Sequence, residues 1–273
     1  MVITEKCQSD IGSMLLDHLG RDSKARIITV IGGGGKTSLL YYLARQFQQS
    51  GLQVIVTTTT KLYRPNQIGH QLLLANTWGK CCQAVREARV SRDIITLAAG
   101  TWQQDRHKVT GLDPQWLDAL AQAYPNTIFL VEGDGAAGKS LKGHLDYDPV
   151  IPQLTQIVIP VIGFDVLGQK LDQQYVHRPD RIGQLTGAVD QAVITKETII
   201  SLLFHGSGYL HNCPDSATVI PFLNKVDSKA KWRQALPLAS AILTVGHHQF
   251  DGVIIGSVLQ NNFWFYQKIE TFL

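Results

Sequence analysis

Apolar runs alternate along the chain with segments whose hydrophobic residues recur at helical spacing, the order expected of strands and helices in turn. The clearest case is Arg26 to Gln49. There the run IITVI leads into four glycines and a Lys-Thr pair, after which Leu40, Leu43 and Phe47 mark one helical face and Gly51 a stop. Gln53 to Thr60 predicts a second buried strand, with Val54-Ile55-Val56 running into four threonines. Ile94 to Ala99, Thr127 to Val131, Gln156 to Gly163 and Ala217 to Leu223 predict further strands, and Ala241 to Val245 and Gly252 to Gly256 two last short ones. Pro160 puts its strand at an edge or a bulge, because proline has no N–H for a ladder. Helices are expected from Ser9 to Leu19 behind a Ser9 cap, from Trp78 to Val90, from Asp113-Pro114 onward with Trp116, Leu117, Leu120 and Ala121 inward, and from Thr195 to Phe204. DRHKVTGL reads as a hairpin, and the C-terminal NNFWFYQKIETFL as aromatic packing. The pattern predicts an α/β fold of three layers with a mostly parallel central sheet, residues 1–273 forming one domain with insertions.

Composition narrows the partners. A hydrophobic fraction of 44% is that of a globular protein, and a net charge of +3 spread along the chain gives no nucleic-acid groove and no membrane surface. A neutral or phosphate-bearing small molecule suits it better. The cysteines, Cys7, Cys81, Cys82 and Cys213, form neither a C-x-x-C pair nor a zinc spacing. Adjacent Cys81 and Cys82 could hold a soft atom such as selenium or copper, though no third ligand stands nearby. With no charged-then-apolar leader and no apolar run near the roughly 18 residues of a membrane span, a cytoplasmic location is expected.

The chemistry concentrates after the first strand. Gly32, Gly33, Gly34 and Gly35 can bring backbone N–H groups close to phosphate oxygens, Lys36 can place its charge on the β- and γ-phosphates, and the Thr37 hydroxyl can ligate Mg²⁺. Ser38 follows in the first turn of a helix whose dipole favours an anion. The full pattern G-x-x-x-x-G-K-[ST] asks for glycine where Val30 stands, whereas GDGAAGKS, Gly133 to Ser140, satisfies every position. Context decides for the first: SLKGHLDYDPVIP has no helical period after the second lysine, so no helix terminus would face an anion there.

Two later signals fit the same chemistry. The strand Thr127 to Val131 delivers Glu132 and Asp134, two apart on an extended stretch, where a phosphate-loop nucleotidase keeps its Mg²⁺ carboxylate. Glu132 is the expected metal ligand with Thr37, and Asp134 the group that orients the attacking water. Asn224-Lys225-Val226-Asp227 closes a later strand in the N-K-x-D pattern that reads guanine, whose ring N–H and exocyclic amine a carboxylate can accept. His177-Arg178 is the remaining functional-looking pair, Arg178 suiting a phosphate or a carboxylate.

With GGGGKTSL, TTTTK, LVEGDGAAGK, FDVLGQKLDQQYVHRPD and LNKVD in this order, nearly the whole chain resembles the YqeC family. The resemblance implies a P-loop NTPase fold and an accessory role in maturing a selenium-dependent molybdenum hydroxylase, with that enzyme or its maturation factors as partners. Related cofactor-biosynthesis NTPases carry a lysine just before the glycines, and here Ile31 stands there. The expected activity is Mg²⁺-dependent binding and slow hydrolysis of a nucleotide, GTP ahead of ATP. Phosphoryl transfer from ATP to a small substrate, and a nucleotide-gated carrier without turnover, are the alternatives.

Overall fold

The computed structural model describes residues 2–7, 10–20, 25–246 and 249–269. Its main sheet contains β1 (Val2–Cys7), β2 (Ile27–Gly32), β3 (Gln53–Thr58), β4 (His70–Leu74), β5 (Ile94–Ala98), β6 (Thr127–Glu132), β7 (Ile157–Gly163), β8 (Phe222–Asn224), β9 (Gly252–Ser257) and β10 (Asn262–Ile269). Their order is β1-β10-β9-β8-β7-β2-β6-β3-β5-β4, and the short strand Thr218–Val219 adds to β7. From β9 to β4 every pairing is parallel, and β10 runs antiparallel between β9 and β1. The fold is α/β with a large, mostly parallel sheet, as the alternation of runs predicts.

Helices cover both faces, which is why β2, β6 and β7 are buried at every position and read as unbroken apolar runs. Alternate residues serve opposite layers. Ile28 and Val30 pack with α1 (Ile11–Leu19) and α2 (Lys36–Gln49). Ile27, Phe129 and Val131 face α3 (Trp78–Ala88) and α4 (Pro114–Ala123). Val158, Ile162 and Leu223 meet α5 (Pro179–Thr186), α6 (Lys196–Phe204) and α7 (Lys229–Val245).

Several expectations are corrected. Pro160 sits in a central strand, paired with Ile31 on one side. Its missing donor is tolerated because the other neighbour is interrupted between Val219 and Phe222, where Pro221 breaks the ladder. Ala241 to Val245 is the last turn of α7, whose buried Ala235, Leu238, Ala239 and Ile242 have helical spacing. The C-terminal aromatics form β10, and residues 270–273 of that stretch lie outside the described residues. The α1 cap is Asp10, whose side chain accepts from the Ser13 N–H, and the expected cap Ser9 lies outside the described residues.

The topology also locates a crevice. After β2 the chain passes through α2 to β3, but β6 lies between these two strands. Next-in-sequence strands separated in this way leave a gap at their carboxyl ends, the place where open α/β sheets hold ligands.

Candidate functional site

β2 ends at Gly32 and α2 begins at Lys36, so the turn falls on Gly33, Gly34 and Gly35. Gly34 and Gly35 have φ of +83° and +115°, a region L side chains rarely adopt. Gly33 is needed for closeness, since a Cβ there would stand 2.6 Å from the Lys139 carbonyl. The loop is tied inward: Gly32 N–H donates to both oxygens of Asp134 (3.1 and 2.9 Å), Gly33 N–H to the Val161 carbonyl (2.9 Å) and Gly34 N–H to the Lys139 carbonyl (2.8 Å). The expectation of a four-glycine cradle is corrected accordingly, because three of those donors are spent on the protein. What faces outward is the start of α2. No side chain caps it, and a helix leaves its first-turn N–H groups without internal partners. Gly34 through Ser38 line a cleft of about 960 Å³.

Lys36 is buried, its ammonium donating to the Gly32 carbonyl, 3.1 Å from Asp134 and 3.9 Å from Glu132. Asp134 is fully buried beneath the loop, with Lys142 at 3.2 Å and the His144 Nε2 also on its carboxylate. Burial alone would raise its pKa, but Lys36, Lys142 and the His144 hydrogen bond pull it well below the usual carboxylate range. Burial also lowers His144 below the usual imidazole range, so the neutral ring serves as a donor through Nε2. A residue so enclosed does not orient a water in the cleft. Asp134 instead fixes the glycine loop and holds Lys36, which corrects the role expected for it.

The expected metal pair does come together. The Thr37 hydroxyl donates to Glu132 at 2.8 Å, and both residues line the cleft. Burial pushes the Glu132 carboxyl up, against the pull of Lys36 and Thr37. The threonines at the end of β3 turn inward: Thr57, Thr58 and Thr59 donate their hydroxyls to the carbonyls of Leu97, Glu132 and Val150 at 2.8, 2.9 and 2.7 Å. They fasten the cleft wall rather than offering themselves to a ligand.

Asn224-Lys225-Val226-Asp227 divides into three jobs. The Asn224 amide donates to the Gly34 carbonyl (2.7 Å) and its oxygen accepts from Val258 N–H (3.1 Å), so this side chain ties the glycine loop to the far strands. The Lys225 ammonium bonds Ser140 and Asp165 at 2.7 and 2.8 Å. Asp227 is outward, ion-paired with Lys231 at 2.8 Å, and that hydrogen bond lowers its pKa. Of the four residues, Asp227 alone has a carboxylate available to a base.

His177 and Arg178 lie on the opposite wall. Arg178 stands before the first residue of α5, with φ +61°, and bonds Asp148 at 2.8 Å. Asp148 also meets Lys142 at 2.8 Å. Alternating charges therefore run Lys36, Asp134, Lys142, Asp148, Arg178 from the glycine loop to that wall. Lys142, His144 and Asp148 carry no sequence signal, because GKSLKGHLDYD reads as a polar loop yet folds inward. Helix α5 did leave a signal, proline at its first position and Gly187 after its end.

Cys81 is buried and Cys82 half-buried on α3, and neither lines the cleft. Among the described residues no group of three or more His, Cys, Asp or Glu is placed to hold a metal, and no helix is long and apolar enough to cross a membrane. The family described as YqeC protein matches residues 28–180, which include the glycine loop, Glu132, Asp134, the buried charge cluster and Arg178. The uncharacterised protein YqeC of Escherichia coli (strain K12) is 28% identical over 249 residues, covering 91% of this chain and 94% of its own length.

Proposed function

The chain belongs to the YqeC family, and we propose that it binds a nucleoside triphosphate with Mg²⁺ at the start of α2 and hydrolyses it slowly. One observation carries the reading: an uncapped helix terminus presents Lys36 and Thr37 to a cleft in which Thr37 meets the Glu132 carboxylate at 2.8 Å. The first-turn N–H groups and the helix dipole take phosphate oxygens, while Lys36 exchanges part of its contact with Asp134 for the β- and γ-phosphates. Mg²⁺ is commonly held by one or two carboxylates with substrate phosphates while keeping several waters, and a hydroxyl beside one carboxylate fits that donor set. Thr37 and Glu132 would hold it, and the bound ion would offset charge developing on the phosphates.

Slow turnover follows from what the chain's own residues already do. Asp134 is enclosed under the loop, and Arg178 is anchored on Asp148. Neither reaches an incoming triphosphate without giving up a buried partner, so a second protein that completes the site accelerates hydrolysis. Guanine is the base assigned here, on Asp227, which is ionised at neutral pH and gives up Lys231 for the guanine edge. The accessory role in maturing a selenium-dependent molybdenum hydroxylase rests on family resemblance and the guanine on the Asn-Lys-x-Asp pattern, whereas the phosphate and Mg²⁺ chemistry rests on the geometry at the start of α2. The size of the cleft favours a second reading, phosphoryl transfer to a small substrate.

Titration of the protein with GTP and with ATP in the presence of Mg²⁺ tests the proposal. Lys36→Ala should weaken binding by roughly tenfold or more, the size of a charge-assisted hydrogen bond. A wild-type protein that binds neither nucleotide, or a Lys36→Ala variant that binds as tightly, overturns it.

A further inference from the structure

The cleft is wider than a triphosphate site needs. Its volume of about 960 Å³ is near the top of the range of roughly 300–1,000 Å³ for small-molecule pockets, and much of its lining lies beyond α2. That far part is built on a small antiparallel sheet, Lys61–Tyr63 with Lys108–Thr110 and Gly100–Thr101, together with Tyr147 and Arg178. Its character is cationic and aromatic. The Lys61 ammonium lies 4.2 Å from the centre of the Trp102 ring, Lys108 lies 4.7 Å from Tyr63, and the Arg178 guanidinium 5.8 Å from Tyr147. Tyr63 and Tyr147 are 60% and 68% exposed, so each offers ring surface at the mouth of the cleft.

Charge is concentrated here. Lys36, Lys61, Lys108, Lys139, Arg178 and Lys225 line the cleft against the carboxylates Glu132 and Asp148. Lys36 and Lys225 are held by carboxylates around the glycine loop. On the far wall Lys108 has only a loose pairing with Asp105 at 3.6 Å, and among the described residues Lys61 has no carboxylate partner. Positive charge left uncompensated in a cleft is an electrostatic signature of an anionic ligand. Lysines as point charges suit a phosphate, and exposed tyrosine faces suit a flat ring stacked beside it.

We propose that this wall is a subsite for the phosphate group of a second, ring-bearing small molecule, held on Lys61 and Lys108 with its ring against Tyr63 or Tyr147. Its standing as a second site rests on the nucleotide reading above, since the start of α2 must hold the first ligand. The wall's affinity for a phosphate monoester does not depend on that reading.

Phenyl phosphate is the probe, titrated calorimetrically into the full chain alone, into the chain saturated with a non-hydrolysable GTP analogue and Mg²⁺, and into the Lys36→Ala variant. Saturable binding is expected in all three, with cyclohexyl phosphate weaker. Lys61→Ala and Lys108→Ala, both on the surface sheet, should each raise the Kd of phenyl phosphate about tenfold, the low end for a charge-assisted contact. Equal affinity in both lysine variants overturns the proposal, as does displacement of phenyl phosphate by the nucleotide analogue. Cyclohexyl phosphate binding as tightly overturns the ring contact. If the wild-type chain binds no nucleotide but phenyl phosphate still binds and is lost in the lysine variants, the nucleotide reading fails and the phosphate subsite stands.

Discussion

Replacing Asp134 by Asn separates two accounts of the residue. The side chain is fully buried and meets Gly32 N–H, Lys36, Lys142 and His144. Asparagine keeps the shape but removes the charge, leaving Lys36 and Lys142, at 3.1 and 3.2 Å, without their shared anion. Losing one partner of a buried ion pair costs roughly 3–5 kcal/mol, and at roughly 2–4 °C per kcal/mol for a large domain the melting temperature should fall by about 6–20 °C. The acid limb gives a second reading. Because Asp134 has a depressed carboxyl pKa in the folded protein, its contribution is complete above the unfolded value near ~4 and is lost as the pH falls through the folded value. Between neutral pH and ~4 the wild type keeps that advantage over Asp134→Asn, and below it the gap should narrow. Thermal unfolding from pH 7 to pH 3 measures both. If the variant melts within about 1 °C of wild type and loses only turnover, well under the roughly 3 kcal/mol expected of a buried pair, Asp134 positions water and the structural account is wrong.

The other expectations are briefer. Glu132→Gln should weaken the Mg²⁺ dependence of nucleotide binding while Mg²⁺-free binding stays near wild type; equal weakening with and without Mg²⁺ removes Glu132 from the metal. Asp227→Asn should narrow the difference between GTP and ATP affinities by weakening GTP, and an unchanged ratio would leave Asp227 a surface partner of Lys231. The His18 ring, with Met14 carbonyl on one nitrogen and Asp251 on the other at 2.8 and 2.6 Å, has its pKa raised, chiefly by the Asp251 hydrogen bond. Its stabilisation is therefore complete below about pH 6.5 and is lost as the pH rises through the folded value, so a His18→Gln variant should lose its stability deficit on that rise.

The buried parallel strands and the glycine loop were legible because each rests on local pattern: continuous apolar runs for strands buried on both faces, and glycines where φ turns positive or backbones touch. The meeting of Thr37 with Glu132 was legible too, since Glu132 ends β6 and Thr37 opens the helix that follows the neighbouring β2. What the chain hides is convergence. Lys and Arg look scattered because the six cations of the cleft come from six separate segments, brought together by strand ends and loops. The inward turn of Lys142, His144 and Asp148 was hidden for a related reason, as a charged loop is buried only when partners meet it, here Asp134 at the start of its own segment and Arg178 from a later one. Ala241 to Val245 misled because the short run Ala-Ile-Leu-Thr-Val fits a strand, and only the spacing back to Ala235 and Leu238 reveals α7.

The two segments that carry a glycine-lysine pattern are neighbours in space, and only the first opens a helix. After Ser140 the chain enters Leu141–Lys142, paired with Val176–His177, and the N–H groups of Ser140 and Leu141 both donate to the Tyr175 carbonyl. Without a helix terminus, Lys139 has no row of unpaired donors beside it, and its ammonium rests on the Gln174 carbonyl at 3.3 Å. Its backbone matters more than its charge. The Lys139 carbonyl accepts from Gly34 N–H, the Ser140 carbonyl accepts from Gly163 N–H, and the Ser140 hydroxyl accepts from Lys225, so the second segment clamps the first loop from above. The same segment begins at Asp134, which holds that loop from below, and continues through Lys142 to Asp148 and so to Arg178. A ligand drawing Arg178 away from Asp148 would thus disturb the anion that neutralises Lys142, one ion pair from the carboxylate that fixes Lys36. The far wall and the α2 end of the cleft are joined by a continuous chain of ion pairs from Arg178 to Lys36, which supplies a physical route by which a ligand at one could alter the other.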